Sequence, residues 1–190
     1  MTPSPRHRYD LLSIALHWLM ALAIIGLLGV GLYMVSLPFS MSRLKLYNWH
    51  KWAGMTVLAL AALRLLWSLL RQAPAAAPGP RWQQVAAHAV HGLLYLFFFA
   101  VPLAGWTYSS AAGFPIVWFG LLPLPDLVSP DPALAETLKA THRWLAYGLA
   151  AVVGPPVGGP PQPNFLGPAP PQGPKWAGPR AGTPPHLDPT

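Results

Sequence analysis

Long apolar runs, separated by short polar or proline-rich stretches, fill most of this 190-residue chain. Four of them are predicted to be helices, at about residues 11–37, 48–70, 86–109 and 138–153. Because about 20 residues are needed to cross a bilayer, the first three runs are long enough and the fourth is not. The pattern predicts an all-α integral membrane protein, an up-and-down four-helix bundle whose fourth helix is truncated or disrupted after Val153.

The segment 154–190 differs abruptly from the rest in composition, since it holds 13 of the chain's 25 prolines. Proline removes a backbone donor and clashes with the preceding helical turn. We therefore divide the chain into a membrane domain, 1–153, and a Pro/Gly-rich tail, 154–190. The tail is expected to be disordered, or to be the product of a frameshift or a degraded gene end. The aromatic and proline-rich connection 111–132 is expected to lie on the bilayer surface.

Composition narrows the class of protein further. Charged residues make up 9% of the chain, against about 25% in soluble domains, which indicates lipid as the solvent. The net charge of +7 is not concentrated in one basic run, and this argues against nucleic-acid binding. The absence of cysteine excludes a thiolate metal site and covalent CxxCH haem attachment. No phosphate-binding loop or nucleophile elbow is present.

Five histidines lie within or at the rims of the apolar runs: His17, His50, His88, His91 and His142. Ionisable side chains at membrane depth are costly and point to function, and neutral imidazole is a good ligand for iron. Alternating helices place His50 and His142 at one level, the outer layer. They place His17, His88 and His91 at the other level, the inner layer. Two imidazoles on facing helices can bind one haem iron, so the pattern predicts haem.

Other interpretations of these residues stay open at this point. Each histidine could be an interfacial polar group, most readily His88 and His91, which could also contact headgroups, a quinone or haem propionates. Arg64, inside the second apolar run, is expected to snorkel toward the cytoplasmic interface rather than to pair with a haem propionate. Gly54, one turn after His50, is expected to let a flat macrocycle approach the backbone.

Several short motifs occur in a specific order: Arg8-Tyr9-Asp10, Leu16-His17-Trp18-Leu19, His50-Lys51-Trp52-Ala53-Gly54, Leu63-Arg64-Leu65-Leu66-Trp67, His88-Ala89-Val90-His91-Gly92, Pro102-Leu103-Ala104-Gly105-Trp106, Phe119-Gly120-Leu121 and Thr141-His142-Arg143-Trp144. Through them the chain resembles the bacterial cytochrome b561 family of four-helix, dihaem membrane proteins. The resemblance covers about residues 8–153.

The resemblance implies two b haems, each held by two histidines as axial ligands of the iron. His50 and His142 would hold the outer haem, and His17 would be one ligand of the inner haem. The second inner ligand would lie fourteen residues after His142, about 21 Å along the helix, where this chain has Pro156. The outer site is therefore complete and the inner site lacks its family ligand. His88 or His91 is a less favoured substitute.

The resemblance also implies a function. It predicts a membrane electron-transfer cytochrome that passes electrons from a periplasmic-side donor, superoxide in some relatives, to the quinone pool. If the chain is an enzyme, it is a quinone-linked oxidoreductase. Alternatives are a haem-binding anchor for a partner redox protein, or a haem-free transporter or assembly protein.

Lipid and quinone are the expected partners, without nucleic acid. The expected location is multi-pass in the bacterial inner membrane, with the N-terminus cytoplasmic, although basic residues divide almost evenly between the two sides.

Overall fold

The computed structural model describes residues 11–70 and 80–158, the last four of them by backbone alone. Its helices and strands are α1 (Leu11–Ser36), α2 (Met41–Leu70), α3 (Arg81–Ala111), β1 (Val117–Trp118), β2 (Leu122–Pro123) and α4 (Pro132–Gly158). The described residues lie almost wholly in one compact unit, Met1–Val157, and a second unit begins at Gly158. The four predicted helices are confirmed in the predicted order. The motif Arg8-Tyr9-Asp10 and most of the Pro/Gly-rich tail lie outside the described residues.

Three helices, α2, α3 and α4, begin earlier than the apolar pattern predicts, and in α2 and α4 a polar side chain caps the first turn. At the start of α2, the Arg43 N–H donates to Ser40 Oγ at 3.2 Å. At the start of α4, Asp131 Oδ1 accepts from the N–H groups of Ala133 and Leu134 at 2.9 and 3.0 Å. Side-chain acceptors of this kind satisfy helix N–H groups that lack an intrahelical partner. The predicted starts at 48, 86 and 138 are corrected to 41, 81 and 132.

The end of α4 also differs from the prediction. The helix continues past Val153 and through Pro155 and Pro156 to Gly158. Proline has a backbone φ that fits a helix, although it removes a hydrogen bond to the preceding turn. The Gly-Pro-Pro sequence is therefore compatible with a final helical turn, and the boundary at Val153 is corrected to Gly158.

Contacts between helices show that neighbours run antiparallel. In the pair α1 and α2, His17 meets Arg64 near one end and Gly31 meets His50 near the other. In the pair α3 and α4, Gly148 lies against the Phe97 ring and Gly105 against the His142 ring. The buried core lies between these levels and consists of Met20, Ile24, Val57, Ala61 and Leu149. This is the expected up-and-down arrangement.

Three of the described helices, α1, α2 and α3, are long and apolar enough to cross a membrane. Large apolar side chains on them face outward, such as Leu22, which is 67% exposed, and Leu69, which is 75% exposed. Outward-facing leucines at this density are typical of helices surrounded by lipid rather than water.

A short β-hairpin, which the sequence did not predict, lies in the connection between α3 and α4. Val117 pairs with Pro123 and Trp118 with Leu122 in antiparallel register. Its turn contains Phe119 and Gly120, both with positive φ, at 52° and 73°. Two consecutive positive φ values suit a tight hairpin turn, but a phenylalanine in the first position gives no sequence signal for it.

The hairpin is fixed to α2 just after His50. Trp52 Nε1–H donates to the Val117 carbonyl at 2.6 Å, and Trp118 Nε1–H donates to the Trp52 carbonyl at 3.2 Å. The Trp52 and Phe119 rings also lie 5.8 Å apart. This reciprocal contact positions the hairpin at the same end of the bundle as the outer layer.

Candidate functional site

The structure brings two of the predicted site residues together, His50 from α2 and His142 from α4. Their ring centroids are 6.2 Å apart and their planes are nearly perpendicular, at 87°. Two metal–nitrogen bonds of about 2 Å, with about 1 Å from each nitrogen to its ring centre, span about 6 Å. The separation therefore fits one metal ion between two imidazoles.

A hydrogen bond to the α3 backbone fixes the tautomer of His142. Its Nδ1 lies 2.9 Å from the Val101 carbonyl oxygen. Because a carbonyl can only accept, Nδ1 carries the proton and Nε2 keeps its lone pair. Such a contact to the second ring nitrogen is the usual partner of a metal-bound histidine. A Cβ at Gly105 would lie 3.0 Å from this ring, so glycine allows the imidazole to pack directly on the α3 backbone.

His50 has a different environment. Its Nδ1 is buried and has no hydrogen-bond partner among the described residues. A buried polar nitrogen without a partner costs free energy, which bonding to a ligand recovers. The ring lies against α1, where a Cβ at Gly31 would be 3.4 Å from the His50 Cε1. The imidazole is therefore confined between helices, and its Nδ1 remains able to form one further bond.

Both imidazoles open into one cavity of about 490 Å³, which lies among the four helices. This volume falls within the range of about 300–1,000 Å³ typical of cofactor sites. Apolar side chains such as Val57, Phe98 and Leu149 form much of its wall. Gly54 also lines it, and a Cβ there would meet no atom within 4 Å. The predicted role of Gly54, to leave room for a flat macrocycle, agrees with this opening.

A polar group of side chains lines the same cavity. Three of them are basic, Arg43, Lys139 and Arg143, and we refer to these as the basic rim. Arg43 lies in the first turn of α2, two turns before His50, Lys139 lies one turn before His142 on α4, and Arg143 directly follows His142. Tyr47 lines the cavity beside Arg43, whose Nη2 donates to the tyrosine hydroxyl at 3.3 Å. An apolar cavity with a cationic end fits an apolar ring system that bears anionic groups at one edge.

Haem has this chemistry, and the residues present fit it. The described residues contain no cluster of three or more His, Cys, Asp or Glu, so a site that needs three such ligands is absent there. Haem needs only two axial ligands, because its porphyrin supplies the other four nitrogens. The pair His50–His142 can provide both.

The inner-layer histidines have other partners. Arg64 Nη1 lies 3.3 Å from His17 Nδ1, and His17 is also within electrostatic range of His91. The Nδ1 atoms of His88 and His91 lie 2.6 and 2.7 Å from the carbonyl oxygens of Gln84 and Ala87 in the preceding turn of α3. The Arg64 guanidinium thus has His17 as a partner, which the sequence did not predict, and its expected snorkelling toward the interface stays a prediction. The proposed ligand role of His17 stays a prediction.

Sequence reasoning missed several residues that shape the cavity. Gly31 and Gly105 contact the two imidazoles, yet nothing in a single sequence separates them from other helix glycines. The basic rim had a usable signal, because Arg43 lies two turns before His50 and Arg143 directly follows His142. From the sequence, these cations contribute only to the predicted orientation of the helices in the membrane.

Comparisons with known proteins point to one family. The family described as prokaryotic cytochrome b561 matches residues 8–155. The chain belongs to the prokaryotic cytochrome b561 family. It is 33% identical over 147 residues to cytochrome b561 homolog 2 of Escherichia coli strain K12, covering 76% of this chain and 78% of that protein. It is 32% identical over 149 residues to a Yersinia pestis protein named "Probable superoxide oxidase CybB", covering 77% and 83%.

Membership confirms the main sequence-based expectations. This cytochrome b561 family member is an integral membrane protein of the electron-transfer class, and its cofactor is b-type haem. The matched region contains both outer-layer histidines and ends within the last turns of α4.

Proposed function

We propose that His50 and His142 are the axial ligands of one b haem, and that this haem transfers electrons between a periplasmic-side donor and the quinone pool. The observation that carries the proposal is the facing pair of imidazoles, 6.2 Å apart, within a single cavity. Haem supplies the one-electron chemistry when bound. The chain's own residues bind it, orient its ligands and exclude water.

The polar contacts around the pair support this assignment of roles. The Val101 carbonyl holds His142 with its Nε2 lone pair available. The basic rim would bind the two propionate groups of haem, because guanidinium and ammonium groups form strong charge-assisted hydrogen bonds with carboxylates. Gly54 and Gly31 keep the volume beside His50 open.

We propose superoxide as the donor, by analogy with the Yersinia pestis relative. Two superoxide anions each give up one electron and become dioxygen, and two electrons with two protons reduce one quinone to a quinol. Lys139 forms an ion pair with Glu136 at 3.2 Å, so an anionic donor would be attracted by a rim arginine, Arg43 or Arg143, whose charge the propionates leave unneutralised. The effect falls with ionic strength.

The proposed location is the bacterial inner membrane, with the N-terminus in the cytoplasm and the hairpin on the periplasmic side. The chain lacks cysteine, so one introduced thiol can be labelled specifically. Leu121 at the hairpin tip is 85% exposed. The variant Leu121→Cys should react with a membrane-impermeant maleimide in intact cells with permeabilised outer membranes. Reaction only after the inner membrane is broken would reverse the orientation.

Reconstituted protein tests the reaction itself. Proteoliposomes with the cytochrome and ubiquinone should reduce the quinone when superoxide is generated outside them by an enzymatic source. His50→Ala should abolish this reduction, and Arg143→Gln should weaken it and flatten its dependence on salt. Equal quinone reduction by wild type and His50→Ala would contradict the proposed function.

A further inference from the structure

Each of the four helices carries two positions fourteen residues apart, about 21 Å along the axis, at the levels of the two layers. The pairs, outer position first, are Gly31 and His17 on α1, His50 and Arg64 on α2, Gly105 and His91 on α3, and His142 and Pro156 on α4. At the outer level the four positions form one site, because each glycine lies against one imidazole.

At the inner level, α1 and α2 contribute His17 and Arg64, which contact each other at 3.3 Å. Guanidinium has donors only, so His17 Nδ1 must be the acceptor. The neutral ring then carries its proton on Nε2, and neither nitrogen keeps a lone pair free for iron. His142 has the opposite tautomer, because its Nδ1–H donates to a carbonyl and its Nε2 keeps a lone pair.

The other two inner positions do not complete a ligand pair. Pro156 on α4 has no side-chain nitrogen. His91 on α3 has its Nδ1 bound to the Ala87 carbonyl and is exposed. His88 lies on the same helix, so these two imidazoles cannot approach opposite faces of one haem. In the part of the chain that the structure describes, the inner level therefore lacks two facing imidazoles with available nitrogens.

We infer that this chain binds a single haem, in the outer layer, and that the contact between His17 and Arg64 takes the place of a second haem. The inference rests on the proposed function of His50 and His142, and it departs from the two haems that the family resemblance implies. It also assigns Arg64 a defined role. Its charge, otherwise costly inside an apolar helix, is stabilised by the imidazole acceptor.

The test is the number of haems per polypeptide in the purified full-length chain, expressed with excess haem precursor. Haem is measured by pyridine haemochrome and protein by amino-acid analysis. His17→Gln is the informative variant, because the glutamine amide oxygen can still accept from Arg64 while the imidazole is gone. His50→Gln is its matched control in the outer layer. Gel filtration confirms that each variant is a monodisperse, folded preparation.

We expect one haem per chain in the wild type, one in His17→Gln, and none in His50→Gln. Two haems in the wild type, or loss of half the haem in His17→Gln, would overturn the inference and leave the proposed function standing. One haem that survives in His50→Gln and is lost in His17→Gln would also overturn it. No haem in any preparation would contradict the proposed function itself, so the two failures are distinguishable.

Discussion

His50 and His142 come from different helices, α2 and α4, yet their ring centroids lie 6.2 Å apart, with the ring planes at 87° to each other. Two glycines on the neighbouring helices make room for these rings. Gly31 lets His50 lie against α1, and Gly105 lets His142 lie against α3. The site therefore depends as much on the two glycines that make room for the rings as on the rings themselves.

Gly105 gives the sharpest test of that dependence. In Gly105→Ala, the new Cβ would lie 3.0 Å from both Cε1 and Nδ1 of His142, so the ring must shift away from the Val101 carbonyl. We expect haem content to fall severalfold, with an altered haem absorption spectrum, although alanine favours the helix by about 1 kcal/mol. Gly92→Ala on the same helix is the control, because a Cβ there meets no atom within 4 Å. Equal haem content in both variants would contradict the packing argument.

Cavity volume can be tested at Gly54. This residue lines the cavity one turn after His50, and its missing side chain leaves open space. Gly54→Leu should fill part of that volume and reduce haem content strongly, because a closely packed site cannot accept both groups. Gly26→Leu adds the same side chain to an exposed position on α1 and should retain full haem content. If Gly54→Leu binds haem as well as the Gly26 variant, the cavity does not hold the macrocycle.

The hairpin contact with α2 should contribute to stability. Trp52→Phe removes the indole donor to the Val117 carbonyl and keeps most of the ring contact. Loss of one such hydrogen bond costs about 1 kcal/mol. We expect Tm in detergent to fall by about 2–4 °C and protease cleavage within 112–131 to accelerate. Trp49→Phe, at a position 59% exposed, should change neither property. Faster cleavage in both variants alike would argue against the contact.

The start of α4 is open to a similar test. Asp131 Oδ1 accepts two N–H groups at the first turn of this helix. Asp131→Ala should destabilise the folded protein by about 1 kcal/mol, whereas Asp131→Ser, which keeps an acceptor, should lose less. The measurement is the thermal midpoint of both variants in the same detergent. An unchanged midpoint in Asp131→Ala would show that the cap contributes nothing to stability.

The number, order and approximate extent of the helices could be predicted, because apolar runs report directly on segments that lie in lipid. The first turns of α2 and α4 could not be predicted in this way, because their capping residues, Ser40 and Asp131, lie outside the long apolar runs. The hairpin was also hidden, because its turn has Phe119 where asparagine or glycine would signal a positive φ.

The candidate site was predictable to a similar degree. The histidine pair followed from helix alternation, because residues at equal depth on facing helices meet. The contact between His17 and Arg64 was not predicted, because a charge inside an apolar run indicates equally well a side chain that reaches the interface or one that pairs within the bundle. Only the relative rotation of α1 and α2 decides between these, and that depends on packing.

The most direct test of the central claim is the reduced-minus-oxidised absorption spectrum of purified wild type, His50→Ala and His142→Ala. His88→Ala is the control, because its imidazole is exposed and its Nδ1 lies 2.6 Å from the Gln84 carbonyl oxygen of its own helix. We predict a b-type α-band in the wild type and in His88→Ala, and its loss in both outer-layer variants. An unchanged band in His50→Ala or His142→Ala would contradict the assignment of this pair as the haem ligands.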